Sequence, residues 1–388
     1  MKAPKKDGKL NRNELMTRIN AVCAQADKLL PSRNGDSILT YLGKKDVPRI
    51  PTFSSGSWAL DAALGGGYPR GRFVEIFGPE GGGKTTLALH ALATIQKQDP
   101  EALVAFIDVE HALDLFYARN LGVDVETLMV SQPDSGEQAM NIVKFLISQG
   151  AKLIVVDSCA ALTPEIQIEK AIGEATVGAH AKLMSEGIRV LCSMLKTHGT
   201  TVIFTNQLRC IIGGMGGQGF TTPGGKALRF YASQRVEVKR IGSDAHGDQV
   251  INNIVVAKVA KNKIAPPFLK AQFKITFGKG IDPIEQLIDY GLKFKLIEKS
   301  GSFFVLNDKK FHGHKQLYEM ISENKECFVE LEKKIKELIS TDNTTLDAST
   351  HLQDVKPEDV AQPQAPRAEE ESSDIAEMLK EMNKEDET

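Results

Sequence analysis

A glycine-rich segment near residue 80 has the composition and spacing of a phosphate-binding loop. It fits the pattern GxxxxGK[ST] and comprises Gly78, Pro79, Glu80, Gly81, Gly82, Gly83, Lys84 and Thr85, followed by Thr86. In such a loop the backbone N–H groups turn inward around phosphate oxygens, and the lysine places a cation at the β- and γ-phosphates. The threonine hydroxyl is a ligand for Mg²⁺. The pattern therefore predicts a site for ATP and Mg²⁺.

The sequence on either side of this segment suits the same function. An apolar run ends directly before Gly78, and good helix formers follow from Thr86 to residue 95. A phosphate loop needs a strand before it and a helix after it, because the free N–H groups of the helix N-terminus point at the ligand. These flanks favour a nucleotide site over a glycine-rich turn without a ligand.

Two acidic residues and one glutamine end other apolar runs. Asp157 is placed to help hold Mg²⁺. Glu110 is a candidate base for the water that attacks the γ-phosphate, and Asp108 is its rival. Gln207 is a candidate γ-phosphate contact that distinguishes ATP from ADP. The alternative for each is an ordinary polar residue at a strand end.

The apolar runs that position these residues alternate with helical stretches. The six runs are 73–77, 103–109, 153–156, 202–205, 235–238 and 254–259. Nearly continuous apolar strands separated by helices are typical of an α/β fold whose mostly parallel sheet is covered by helices on both faces. Ligands of such sheets bind beyond the carboxyl ends of the strands. We therefore expect the candidate residues at one edge of the sheet.

Composition divides the 388-residue chain into four parts. They are an N-terminal helix (13–30) and linker at 1–50, a core at 51–281, a small basic α+β domain at 282–339 and an acidic tail at 340–388. The helix has an apolar stripe that must pack on the protein's own core or on a neighbouring copy. The tail is too polar to bury a core, so we predict that it is disordered.

Charge and cysteine content narrow the functional class. The tail holds 14 acidic and 4 basic residues; since the whole chain carries −2, residues 1–339 carry +8. A basic body with an acidic tail suits a nucleic-acid binder whose tail competes with the polyanion, although many such tails only solvate. Five cysteines without CxxC spacing indicate neither disulfides nor zinc. No apolar run long enough for a membrane span was found, which favours the cytoplasm.

Two segments are candidates for contact with a polynucleotide. Residues 208–225 contain seven glycines, and a long glycine-rich loop in a compact domain is usually functional or disordered. Residues 164–176 precede a predicted helix on which Lys182 and Arg189 are seven residues apart and therefore share a face. This face suits DNA phosphates or simply faces solvent.

From about Asn13 to Leu338 the chain resembles the RecA family of recombinases. The resemblance rests on seven segments taken together: GPEGGGKTT at 78–86, FIDVEHALD at 106–114, SQPDSGEQA at 131–139, VVDSCAALTP at 155–164, NQLR at 206–209, GGKALRFYAS at 224–233 and AKNKIAPPF at 260–268. It implies a RecA-type P-loop ATPase that forms helical filaments on single-stranded DNA and exchanges strands with homologous double-stranded DNA. A single-strand-binding protein or a loader is a further expected partner, reached through the acidic tail.

The resemblance also implies roles at the nucleotide. Glu110 corresponds to the family's catalytic glutamate, and Gln207 corresponds to its γ-phosphate sensor. Asp114 and Tyr117 correspond to the pair that contacts adenine.

Other implied roles lie between protomers. Lys261 and Lys263 correspond to lysines that reach the γ-phosphate bound by the adjacent protomer, which makes hydrolysis depend on assembly. Phe230 corresponds to an aromatic residue at the protomer junction, and the N-terminal helix would pack on the neighbour.

For DNA, the resemblance assigns the loops 164–176 and 208–225. The residues that it adds at their ends are Arg209, Gly224, Gly225 and Lys226, beside Lys182 and Arg189.

The chain departs from the family pattern mainly in these two loops. The second loop has Cys210, Ile211 and Gly216 where a Met, a Lys and an aromatic residue are usual, and the first has Gln167, Lys170 and Ala171 in place of an acidic, glycine-containing run. Lys182 replaces an arginine, and Gly81-Gly82 replace two serines without loss of the backbone cradle. These differences concern DNA affinity more than catalysis.

Three other functions share some of these features. A ring-shaped helicase or motor would have the same loop and carboxylates but not AKNK or GGKALRFYAS. A single-strand-coating protein would use nucleotide only as a switch. A small-molecule kinase would need a substrate lid, and no segment suggests one.

Overall fold

The computed structural model describes residues 12–30, 39, 50–171, 174, 176, 178–210, 220–246 and 249–341. The chain divides into two compact units, Met1–Pro51 and Thr52–Thr388. The first contains α1 (Arg12–Leu29), which confirms the predicted N-terminal helix. Of the two asparagines near its start, Asn13 lies inside the helix and Asn11 lies outside the described residues.

The second unit is built on one eight-stranded sheet, which confirms the predicted α/β fold. In chain order the strands are β3 (Phe73–Gly78), β4 (Val104–Asp108), β5 (Met129–Ser131), β6 (Leu153–Asp157), β7 (Thr201–Gln207), β10 (Gln234–His246), β11 (Gln249–Asn262) and β12 (Lys270–Thr276). Their order in the sheet is β12-β11-β10-β3-β7-β6-β4-β5.

Six neighbouring strands of the sheet are parallel, from β10 to β5. The last two, β11 and β12, are antiparallel and form a meander with β10. The sequence predicted a strand within β11 but not its direction. Only two residues separate β10 from β11 in the chain, which is too few for the crossover that parallel neighbours need.

Helices cover both faces of this sheet. They are α2 (Trp58–Leu64), α3 (Lys84–Gln98), α4 (Leu115–Asn120), α5 (Gly136–Ser148), α7 (Ala179–His198) and α8 (Ala227–Tyr231). Between β6 and α7 lie a 3₁₀ turn at Cys159–Ala161 and a short helix without buried residues, α6 (Glu165–Ile168). Two-stranded ribbons pair β1 (Thr52–Phe53) with β2 (Tyr68–Pro69) and β8 (Arg209–Cys210) with β9 (Phe220–Thr221).

Two hydrophobic cores lie on opposite faces of the sheet because successive strand side chains point in opposite directions. In β6, Val155 packs in the core under α2 and α3, whereas Val156 packs in the core under α5 and α7. Both residues are fully buried. This double burial explains why the strands are nearly continuous apolar runs.

A third hydrophobic cluster belongs to the C-terminal part. Its elements are α9 (Pro283–Lys293), β13 (Glu298–Ser300), β14 (Phe303–Leu306), β15 (Lys309–His312), α10 (Gly313–Glu323) and α11 (Lys325–Thr341). Trp58 of α2 packs into this cluster, and its main-chain N–H donates to Gln286 of α9 over 2.9 Å. The acidic tail lies outside the described residues beyond Thr341. No helix in the described part of the chain is long and apolar enough to span a bilayer.

Candidate nucleotide and DNA site

The predicted phosphate loop joins the end of β3 to the start of α3, at the carboxyl edge of the sheet. Gly81 and Gly83 have φ angles of 66° and 90°, which glycine adopts without strain. A Cβ at Gly78 would come within 2.0 Å of the Val238 carbonyl oxygen, and one at Gly82 would come within 2.9 Å of it. The loop therefore requires glycine for its shape and for the close approach of β10.

Lys84 is the first residue of α3 and folds back over the loop. Its Nζ donates to the main-chain oxygen of Pro79 over 2.8 Å. Partial burial lowers the pKa of Lys84, while the nearby carboxylates of Asp157, Glu110 and Glu80 oppose this shift. The ammonium group thus lies among the residues that a triphosphate would approach.

Thr85 and Asp157 meet at this edge although they are far apart in the chain. The Thr85 hydroxyl donates to Asp157 Oδ2 over 2.6 Å, and the Thr205 hydroxyl donates to Asp157 Oδ1. Burial raises the pKa of Asp157, whereas these two hydrogen bonds lower it. A hydroxyl beside a carboxylate is an oxygen donor set that suits Mg²⁺, which binds few protein groups and keeps water and phosphate as its other ligands.

Glu110 lies just beyond β4 and contacts residues of two other strand ends. Its Oε1 accepts hydrogen bonds from the Ser158 hydroxyl and, over 3.3 Å, from Gln207 Nε2. The structure thus brings together the two residues that the sequence suggested for water activation and γ-phosphate sensing.

Asp108, the alternative to Glu110 as the base, is buried and its carboxylate already accepts hydrogen bonds from other groups. Its carboxylate accepts from the main-chain N–H groups of Ala112 and Leu113 and from Gln132 Nε2. With these three donors at 3.0 to 3.2 Å, Asp108 stabilises the turn after β4. This occupancy favours Glu110 as the group that faces the nucleotide.

Tyr117 connects α4 to the helix that follows the phosphate loop. Its hydroxyl lies 2.9 Å from the Thr86 hydroxyl. Asp114 caps α4 by accepting from the N–H groups of Phe116 and Tyr117. Tyr117 is therefore next to the phosphate loop, whereas Asp114 is held by its own helix.

A buried ion pair within the sheet stabilises the same edge. Glu75 of β3 is fully buried, and its two carboxylate oxygens bind Arg235 and Asn206. The Asn206 side chain also accepts the Gln207 N–H over 3.0 Å. Because a buried charge without its partner is strongly destabilising, this network holds the end of β7 in place.

Lys261 and Lys263 lie at the opposite end of the strands from the phosphate loop. Lys261 pairs with Arg235 in the antiparallel ladder, and Lys263 N–H donates to the Ser233 oxygen, just before β10. The Lys261 Nζ donates to the main-chain oxygens of Arg229 and Phe230 over 2.6 and 2.8 Å. The structure therefore does not bring these lysines to the phosphate loop of their own chain.

Phe230, at the end of α8, is 68% exposed beside these lysines. Burial lowers the pKa of Lys261, and the neighbouring charges of Lys263 and Arg235 lower it further. An exposed large aromatic residue next to a cation is typical of a contact surface.

Four of the residues predicted to bind DNA are exposed cations near α7: Lys182, Arg189, Arg209 and Lys226. Gly224 and Gly225 pack against the first turn of α7, where a Cβ at Gly225 would lie 2.9 Å from the Ala181 Cβ. Lys226 directly follows these glycines and is therefore close to Lys182.

The two predicted DNA loops are described only in part. Residues 172, 173 and 175 of the first loop and 211–219 of the second lie outside the described residues. The described ends show α6 in the first loop and the β8–β9 ribbon in the second. Ile211 and Gly216, which depart from the family pattern, belong to the undescribed part.

Sequence reasoning missed the residues that hold the predicted ones. Ser158 binds Glu110, Thr205 binds Asp157, and His180 binds the main chain at Cys159. Ser158 and Thr205 could have been found, because each is a polar residue within two positions of a predicted one at a strand end. No local signal distinguishes His180 from any other helical histidine.

Comparison with known proteins agrees with this geometry. Models of the RecA N-terminal and RecA C-terminal domains match residues 20–282 and 285–340. The chain is 50% identical over 321 residues to the RecA protein of Wolinella succinogenes, covering 82% of this chain and 90% of that protein. It is 48% identical over 325 residues to the RecA protein of Nitratiruptor sp., covering 83% of this chain and 94% of that protein.

A more distant organism provides a further match. The mitochondrial DNA repair protein recA homolog 3 of Arabidopsis thaliana is 45% identical over 347 residues, covering 88% of this chain and 80% of that protein. Because the matches span both the ATPase core and the small C-terminal domain, the chain belongs to the RecA family of DNA-dependent recombinase ATPases.

Proposed function

We propose that this protein polymerises on single-stranded DNA, hydrolyses ATP at the carboxyl edge of its sheet, and pairs the bound strand with homologous double-stranded DNA in recombination and repair. One observation carries the proposal: Gln207 contacts Glu110 at the nucleotide edge and begins the segment that leads to Gly224, Gly225 and Lys226. A single stretch of chain thus connects the γ-phosphate position with the DNA-binding residues.

For the nucleotide, residues 78–86 would cradle the phosphates, and Asp114 and Tyr117 would contact the adenine. The geometry supports this because a Cβ at Gly78 or Gly82 would collide with the Val238 carbonyl oxygen, and because Tyr117 contacts Thr86. Lys84 would exchange its bond to the neutral Pro79 oxygen for bonds to phosphate oxygens, which are stronger because both partners are then charged.

Thr85 and Asp157 would hold Mg²⁺ beside the phosphates. The ion would neutralise phosphate charge and align the β- and γ-phosphates. The two side chains are hydrogen-bonded to each other at 2.6 Å, so they can serve one ion without rearrangement of the backbone.

For hydrolysis, Glu110 would accept a proton from the attacking water. The water oxygen would form a bond to the γ-phosphorus as the bond between the γ-phosphorus and ADP breaks. Ser158 and Gln207 orient the Glu110 carboxylate. Loss of the γ-phosphate would free Gln207 and loosen the DNA-binding segment that follows it.

Lys261, Lys263 and Phe230 would act on the adjacent copy. All three lie at the end of the sheet remote from their own phosphate loop, and Phe230 is exposed. A head-to-tail contact that repeats without closing produces a helical filament, in which each nucleotide lies between two protomers. The N-terminal helix would also pack on the neighbour.

DNA would be held mainly through phosphates by Lys182, Arg189, Arg209 and Lys226, since base pairing between strands supplies sequence specificity. We place the protein in the cytoplasm, with a single-strand-binding protein or loader as a partner of the acidic tail. Like charge in the tail would repel duplex DNA at low salt.

The proposal is tested by ATPase rates of the full chain with and without poly(dT), together with electron micrographs of the same mixtures. We expect DNA-stimulated hydrolysis and helical filaments, and loss of both rate and stimulation in Lys84→Ala. Closed rings, or equal rates with and without poly(dT), would contradict it.

A further inference from the structure

His180 joins the DNA-binding helix to the strand end that carries the nucleotide site. It lies in the first turn of α7, half-buried, with Nε2 3.0 Å from the main-chain oxygen of Cys159. A carbonyl oxygen only accepts hydrogen bonds, so the ring must carry its hydrogen on Nε2. Cys159 directly follows Ser158, whose hydroxyl binds Glu110. A single hydrogen bond therefore links α7 to the main chain at Cys159, next to the serine that contacts Glu110.

The end of the second DNA loop packs against the same contact between α7 and Cys159. A Cβ at Gly224 would lie 3.2 Å from the Cys159 Sγ and 3.1 Å from the Met184 Cγ, and its φ of 87° also favours glycine. The backbone of Gly224 is therefore pressed directly against Cys159 and α7. Such close packing transmits small displacements, because it has no empty space in which to absorb them.

The surroundings of His180 are cationic on the side of the DNA-binding residues. Burial lowers the pKa of His180, and the positive charge of Arg209 contributes in the same direction. Lys182 follows two residues later on α7 and is exposed. A polyanion that binds these cations would therefore act on the helix turn to which His180 belongs.

We propose that His180 is a positioning residue that couples polynucleotide binding to ATP hydrolysis by tying the first turn of α7 to the main chain at Cys159. DNA phosphates bound near Lys182 and Gly225 set the position of this turn. The His180 bond carries that position to Cys159, and Ser158 passes it to the Glu110 carboxylate. The inference rests on the proposed function, since it requires that DNA stimulates hydrolysis.

The test compares two substitutions of similar size in the full-length protein. His180→Leu fills the space but removes the donor, whereas His180→Gln retains an N–H group that can reach the Cys159 oxygen. His198→Ala, in the exposed last turn of the same helix, is the control. For each variant, ATPase rates are measured without DNA and at saturating poly(dT), with the KM for ATP and the poly(dT) concentration at half-maximal rate.

In His180→Leu we expect kcat at saturating poly(dT) to fall about fivefold or more, the rate equivalent of one net hydrogen bond. The DNA-free rate and both half-saturation concentrations should stay within about twofold of the wild type, and His180→Gln should recover most of the stimulation. A merely structural role would lower the DNA-free rate as well.

Three results would overturn the inference in different ways. Equal stimulation of His180→Leu and the wild type refutes the coupling role alone. A wild type that poly(dT) does not stimulate refutes the proposed function, and the coupling role with it. Equal losses in His180→Leu and His180→Gln would show that the hydrogen bond is not the cause.

Discussion

Lys261 and Lys84 lie at opposite ends of the parallel strands within one chain. Lys84 follows the carboxyl end of β3, whereas the Lys261 ammonium group binds the end of α8, which precedes the amino end of β10. We therefore propose that the two lysines serve one phosphate from different copies. Hydrolysis would then depend on assembly.

This relationship predicts complementation between two inactive variants. Glu110→Gln lacks the base and Lys261→Ala lacks the remote cation, so each protein alone should be nearly inactive. In an equal mixture, about a quarter of the head-to-tail contacts combine Glu110 from the Lys261→Ala protein with Lys261 from the Glu110→Gln protein. We expect the mixture to recover a corresponding share of the poly(dT)-dependent ATPase rate. A mixture no faster than its separate components would refute catalysis across the contact.

The bond between Thr85 and Asp157 predicts a specific metal phenotype. Thr85→Ala should raise the Mg²⁺ concentration at half-maximal ATPase rate about tenfold or more, because an oxygen ligand is lost. Thr85→Ser retains the hydroxyl and serves as the matched control. A Mg²⁺ titration in which Ala and Ser variants coincide would exclude the hydroxyl as a ligand.

Glu110 and Asp108 should respond differently to loss of charge. Glu110→Gln should lower kcat by roughly 10² to 10⁴ while nucleotide affinity and Tm stay close to wild type, as expected for a general base. Asp108→Asn should mainly lower Tm, because its carboxylate accepts three hydrogen bonds in a buried turn. The reverse pattern would assign the catalytic role to Asp108.

The exposed cations near α7 predict how DNA binding depends on salt. Lys226→Ala should weaken poly(dT) binding and reduce the slope of log K against log salt by about 0.7, the value for one phosphate contact on a single strand. Lys97→Ala, an exposed lysine at the end of α3, is the control. An unchanged slope in Lys226→Ala would remove this residue from the DNA site.

His90 predicts a loss of stability in acid. It lies in α3, its Nε2 accepts the Ile281 N–H over 2.9 Å, and burial lowers its pKa to about 4. The unfolded chain therefore binds a proton near pH 6.5 that the folded chain binds only near pH 4. The contribution of neutral His90 to the free energy of unfolding is complete above pH 6.5 and decreases as the pH falls. At pH 4 the free energy of unfolding is lower by about 3 kcal/mol for this reason.

Urea unfolding at pH 7 and pH 4.5 measures this effect. His90→Gln can still accept the Ile281 N–H but cannot gain a proton, so its stability should fall less between the two pH values. Equal losses in both proteins would show that His90 protonation does not contribute.

Local order in the chain was enough to predict the phosphate loop, the alternation of buried strands and helices, and the strand-end positions of Asp157, Glu110 and Gln207. Each of these features depends on residues close in sequence: the glycines and Lys84 of one turn, or an apolar run that ends at a polar side chain. The pairing of β11 and β12 depended on connections that periodicity does not reveal.

Packing decided which of these side chains meet. Thr85 and Asp157 are 72 residues apart, Glu110 and Gln207 are 97 apart, and Lys261 of β11 contacts the main chain of Phe230 in α8. The hydrogen bond between His180 and Cys159 likewise exists only because the start of α7 packs next to the end of β6. Hydrogen bonds of this kind have no signature in a single sequence, because the order of strands in the sheet, and not spacing along the chain, sets the distance between their partners.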